Sequence, residues 1–178
     1  MDKILKNATV VTSGYVKKMD IGIQSGRIAA LAEGLDEPGE VIDCTGKLVL
    51  AGGVDVHAHL NEPGYTWRED YLHGTRAAAA GGTTCFVDMP LQNTPSLISA
   101  QIFRDKEKAV AGKAYVDYAF WGGLVEDNLD EMTGMKECGA KALKAFVSPS
   151  GPDYPSASIG LIYQAMQIAA GMTLEQKV

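Results

Sequence analysis

Gly53-Val54-Asp55-Val56-His57-Ala58-His59-Leu60 is the stretch on which the fold turns. Apolar and polar residues alternate along Val54-Asp55-Val56-His57, the period of an extended strand. Residues two apart on a strand face the same side, so His57 and His59 share one face. Downstream, strand and helix patterns alternate. Residues 69–80 read as a helix closed by Gly81-Gly82, and 83–87 as a second strand. Ser96 can cap a helix to about residue 111, with Gly112 behind it, and 114–121 is a third strand. Asn128 can cap a helix to about residue 138, and 141–147 is a fourth strand. Ser156 or Ser158 opens a last helix to about residue 170. A β-α order repeating every ~30 residues argues a parallel sheet with right-handed crossovers.

Upstream, the character is different. Ile4-Leu5 and Thr9-Val10-Val11-Thr12 form an apolar stretch interrupted by Asn7. Residues 19–24 alternate, and Ser25-Gly26 can turn the chain into Arg27-Ile28-Ala29-Ala30-Leu31, a hairpin signal. Val41-Ile42-Asp43 and Leu48-Val49-Leu50 flank a turn at Thr45-Gly46-Lys47. The expected organisation is a small β-module over 1–51, then an α/β domain over 52–178. The tail, Thr173-Leu174-Glu175-Gln176-Lys177-Val178, is polar and has no evident partner element.

Composition narrows the function classes. With 46% hydrophobic and 21% charged residues the chain is globular rather than disordered or fibrous. A net charge of −6 and the lack of a basic patch argue against nucleic acid. No apolar run approaches the roughly 20 residues of a membrane span, and the N-terminus has no secretory signature, so a cytoplasmic protein is expected. Three well-separated cysteines, without CxxC spacing, read as reduced core thiols. At 178 residues the chain is shorter than the roughly 250 of a (β/α)8 barrel.

His57 and His59 are the strongest chemical feature: two imidazoles at a strand end can hold one metal ion, or can simply stack or hydrogen-bond. Asn61 lies on the same face if the strand continues; it can bond a substrate amide or build the turn at Pro63-Gly64. Glu62 reads as a turn residue. Lys144 sits in the apolar run Ala142-Leu143-Lys144-Ala145-Phe146. It either snorkels at a strand end or, if buried, has a depressed pKa and a reactive amine. Asp88-Met89-Pro90, Asn93-Thr94-Pro95 and Ser148-Pro149-Ser150-Gly151 follow strands, where α/β proteins place ligand loops. His73 reads as a helix residue rather than a ligand. Gly81-Gly82 lacks a phosphate-loop context.

Taken together, these residues resemble the cyclic-amide branch of the amidohydrolase superfamily, which holds allantoinases, dihydroorotases and hydantoinases. Residues 53–64, through His57-Ala58-His59-Leu60-Asn61-Glu62-Pro63-Gly64, resemble the metal-binding first strand, and Gly74 to Thr84 the helix and strand that follow. Asp88-Met89-Pro90-Leu91, Phe120-Trp121-Gly122-Gly123-Leu124-Val125 and Leu143-Lys144-Ala145-Phe146-Val147-Ser148-Pro149-Ser150-Gly151 look most like allantoinases. Asn61 stands where dihydroorotases carry an arginine, and Tyr65 where allantoinases often carry one. Asn93-Thr94-Pro95 resembles the dihydroorotase loop.

The resemblance implies an incomplete β-sandwich module over 1–51 and, over 52–178, the first four β/α units, or first half, of a TIM-like (β/α)8 metal-dependent hydrolase barrel. It implies hydrolysis of a small cyclic amide, allantoin to allantoate in purine catabolism, with dihydroorotase- or hydantoinase-like chemistry as the alternative. It further implies His57, His59 and a carbamylated Lys144 bridging two divalent cations, zinc by expectation, with carbon dioxide supplying the carbamate. Asn61, Asn93 and Ser150 are the expected substrate contacts, and the full-length form is expected to be a homo-oligomer. The family also draws two histidines from the fifth and sixth strands and a proton-shuttling aspartate from the eighth, whereas no histidine follows His73 here. A truncated form with weak or no activity is therefore expected, or, in a different class, a non-catalytic remnant or binding protein.

Overall fold

The computed structural model describes residues 1–151 and 154–172. The polar tail at 173–178 lies outside them. The chain divides into two compact units, Met1–Gly52 and Gly53–Val178.

The first unit is built on β1 (Lys3–Val11), which pairs antiparallel with β2 (Val16–Gln24), itself antiparallel to β3 (Arg27–Ala32). On its other side β1 pairs parallel with β4 (Glu40–Asp43) and then β5 (Leu48–Val49). Asn7 is the reason one strand can serve two short partners. Its φ of 60° puts a register shift between Leu5 and Ala8, where β4 gives way to β5. The Asn7 amide released by that bulge donates to the buried Asp20 carboxylate at 2.8 Å, and the Leu35 amide does so at 2.9 Å. Ala8, Val10, Ile21 and Cys44 form the core. Among the described residues the unit is one five-stranded sheet, not two facing sheets.

The second unit is a parallel sheet with helices between its strands. Strands β6 (Gly53–Ala58), β7 (Thr83–Asp88) and β8 (Asp117–Phe120) pair in sequence order. The third strand does not run straight through Trp121. It resumes as β9 (Gly122–Gly123) and pairs with β10 (Leu143–Lys144). Glycine is required there: a side chain at Gly122 would overlap Leu143, and one at Gly123 would overlap Tyr154. Beyond Lys144 the expected strand over 141–147 ends.

The helices are α1 (Tyr71–Ala80), α2 (Ala100–Val110), α3 (Glu131–Glu137) and α4 (Ile159–Gly171). Asp70, Ser99 and Ser158 are the caps, each accepting from the amide three residues on. Two expected caps are corrected. Ser96 does not open α2, because the Leu97 amide donates to the Pro90 carbonyl and the Leu97 carbonyl accepts from Gly123. Asn128 does not open α3. Its Oδ1 accepts from the Val125 amide, and its Nδ2 donates to the Ile98 and Gly123 carbonyls. Loop-to-loop hydrogen bonds outbid the local helical start at both places.

Leu60, Tyr71, Phe86, Leu97, Phe103, Val110 and Phe120 form the core of this unit, between sheet and helices. Gly74 lets α1 approach the strand end, since a Cβ there would overlap the Leu60 side chain.

Candidate metal and substrate site

Parallel strands put their C-terminal ends on one edge. His57 lies among the last residues of β6 and His59 just beyond them, Asp88 ends β7, Trp121 follows β8, and Lys144 ends β10. The two imidazole centroids are 5.4 Å apart. Lys144 Nζ lies 3.3 Å from His57 Nε2, although 87 positions separate them in sequence. The structure thus brings together the histidine pair and the lysine.

The pairing of β6 with β7 slips between Asp55 and Ala58. The Val56 carbonyl, inside that slip, accepts instead from the Trp121 indole at 2.9 Å. The Tyr154 hydroxyl, buried against Phe146, donates to the Lys144 carbonyl at 2.6 Å. Trp121 and Tyr154 therefore brace the backbone on either side of the site.

Burial disfavours the charged form of both nitrogen bases. It lowers the Lys144 pKa from its usual value. His59 is also lowered, by burial first and the Lys144 charge second. Neutral His59 has a lone pair free at neutral pH, and a neutral Lys144 amine is nucleophilic. His59 Nδ1 and Asn61 Oδ1 are buried without a hydrogen-bond partner. Buried polar atoms rarely stay unpaired. Two imidazoles, one with an orphaned nitrogen, suit a borderline-soft divalent cation such as zinc. Among the described residues no three His, Cys, Asp or Glu side chains are grouped to hold an ion.

The expected substrate contacts separate. Asn61 is buried beside the histidines with an unused acceptor. Asn93 is 1% exposed, its Nδ2 donates to the Met89 and Leu91 carbonyls, and its Oδ1 accepts from Lys106 at 2.5 Å, so its side chain is engaged within the protein. Ser150 is exposed, and its Oγ donates to the Tyr154 carbonyl at 3.0 Å. His73 sits on the exposed side of α1, 2.8 Å from Asp70.

Lys106 is what the sequence reading missed. It lies in the charged run Arg104-Asp105-Lys106-Glu107-Lys108, which looks solvated throughout. Yet it is fully buried, 2.5 Å from Asp88 Oδ2 and within 5.5 Å of the Tyr71 and Phe120 ring centroids. Helical spacing carried the clue, because Phe103, Lys106 and Val110 share one face of α2.

The description "Amidohydrolase family" matches residues 40–114. An allantoinase of Deinococcus radiodurans is 40% identical over 171 residues, 95% of this chain and 38% of that protein. An allantoinase of Salmonella choleraesuis is 43% identical over 150 residues, 84% of this chain and 33% of that protein. The L-hydantoinase (dihydropyrimidinase) of Arthrobacter aurescens superposes with a TM-score of 0.91 at 30% identity, over 96% of this chain and 38% of that one. Over these lengths the chain is similar to members of the amidohydrolase family. Its relatives there are allantoinases and hydantoinases, and its second unit has the architecture of the first part of their (β/α)8 barrel. The chain spans less than two fifths of the length of these relatives.

Proposed function

We propose that this chain carries the first portion of a metal-dependent site for hydrolysing a small cyclic amide. His57 and His59 hold a divalent cation, and Lys144 contributes as its carbamate. The observation that carries the reading is the 3.3 Å approach of Lys144 Nζ to His57 Nε2. An ordinary ammonium there would be an unpaired cation beside metal-ligating imidazoles. A carbamate is an anion on the same arm. It forms when the neutral amine attacks carbon dioxide and releases one proton, and partial burial of Lys144 favours that neutral amine.

Two cations, when bound, supply a hydroxide-like nucleophile at neutral pH and polarise the ring carbonyl. The remaining chemistry belongs to the chain. Asn61 presents its unused Oδ1 to a ring N–H of the substrate. Water adds to the carbonyl, the ring C–N bond breaks, and the leaving nitrogen takes a proton. No histidine follows His73 within these 178 residues. The 178 residues alone are therefore proposed to hydrolyse weakly or not at all.

Allantoin is the proposed substrate, supported by the allantoinase relatives at 40–43% identity. The fit to hydantoinase structures supports a second reading, a hydantoin or dihydropyrimidine ring. Initial rates of a full-length form on allantoin, hydantoin and dihydroorotate separate the two, and preference for either of the latter overturns the first. On the 178-residue chain, ¹³C-labelled bicarbonate should give a carbamate signal that is lost in Lys144→Ala. Zinc should shift the imidazole signals of His57 and His59. Absence of both effects would overturn the metal-site reading.

A further inference from the structure

The buried charges of the second unit converge on the three residues that follow the histidine pair. The Asp88 carboxylate is wholly buried, and both of its oxygens are used. Oδ1 accepts from the Leu60 amide at 3.0 Å. Oδ2 accepts from the Tyr71 hydroxyl at 2.7 Å and from Lys106 at 2.5 Å. Lys106 in turn donates to Asn93, whose Nδ2 holds the Met89 and Leu91 carbonyls. Two residues further on, the buried Glu62 accepts from the Tyr71 amide at 2.9 Å and pairs with Lys113. Leu60 is thus tied to a wholly buried carboxylate, and at the other end of Leu60-Asn61-Glu62 the Glu62 carboxylate is held by the Tyr71 amide and Lys113.

A buried ion pair is seldom justified by stability alone, since apolar residues of matching volume often serve as well. It supplies directed hydrogen bonds instead. The Leu60 amide is one residue after His59 and one before Asn61. Its direction therefore sets which way both side chains leave the backbone. We propose that Asp88, held by Lys106, Tyr71 and Asn93, is the positioning residue for the end of β6: its bond to the Leu60 amide fixes the outward direction of His59 and Asn61. This rests on the proposed metal site only for its purpose, since the geometry needs no bound ion.

The test compares two double variants that both remove the buried charges. Asp88→Asn with Lys106→Met keeps a side-chain carbonyl to accept from Leu60, and Asp88→Leu with Lys106→Met does not. Amide hydrogen exchange at Leu60 should be slow in the native chain and the Asn variant, and at least about tenfold faster in the Leu variant. The His59 imidazole ¹⁵N signals should match between the native chain and the Asn variant, and move in the Leu variant. Unchanged signals in the Leu variant overturn the proposal, as does an equal change in both variants, which is what mere loss of packing would give. Should the Leu variant not fold, the other two proteins still decide. Fast Leu60 exchange in the native chain, or displaced His59 signals in a folded Asn variant, overturns it. Zinc added to the native chain separates the two readings. If zinc moves neither histidine while the Leu60 pattern holds, the metal site fails and the positioning role stands.

Discussion

At the scale of single residues, the determining fact is where charge is buried. Lys106 and Asp88 are both sealed from solvent at 2.5 Å. Burial lowers the Lys106 pKa, while Asp88 opposes that shift. Replacing one member strands the other, so Lys106→Ala should cost about 3–5 kcal/mol in chemical denaturation. A loss under 1 kcal/mol would mean that Asp88 finds water or another partner. The histidine pair could be read from its spacing, because period two is a property of any strand. The role of Lys106 could not be, because charge along a helix tells nothing of which face is covered. Asn93 is the complementary case: the sequence places it in a loop after a strand, and the fold ties its side chain to Lys106 and two carbonyls.

At the scale of elements, boundaries were set by loops competing with helices. Ser99→Ala removes the α2 cap and should cost about 1 kcal/mol. Asn128→Ala unties three loop backbone groups without touching a helix cap, and at about 1–3 kcal/mol per group left buried and unpaired it should cost more. Equal losses in thermal unfolding would contradict that assignment. In the β-module, the Asn7 bulge and Asp20 act together. The Asn7 amide, the Leu35 amide and Lys6 hold the Asp20 carboxyl below its ordinary value of 3.8, against the opposing effect of burial. The unfolded chain thus binds that proton more tightly. The stabilisation is complete above the ordinary value and is lost as pH falls through the lower, folded one. Acid unfolding of native chain and Asp20→Asn should therefore diverge at neutral pH and converge as pH falls through the lowered, folded value. Parallel curves across the range would show that Asp20 contributes nothing.

For the molecule as a whole, apolar surface is the outstanding property. Val54 and Val56 on β6 are 64% and 58% exposed, and the described residues pair β6 on one side only. No helix among them is long and apolar enough to cross a membrane. An open strand with exposed valines favours association. Sedimentation should show the 178-residue chain associating as concentration rises, and Val54→Thr with Val56→Thr should reduce that tendency. A monomer at all concentrations would show that this edge is already protected.

The sequence by itself determined the alternation of strands and helices, the division near residue 52, and the shared face of His57 and His59. All three follow from local periodicity and turn chemistry. Tertiary structure alone decided that Lys144 meets His57 across 87 positions, that Trp121 and Tyr154 brace the strand ends, and that Lys106 is buried on Asp88. Those contacts come from how the strands register and which helix face the sheet covers. Neither quantity is written in a window of neighbouring residues.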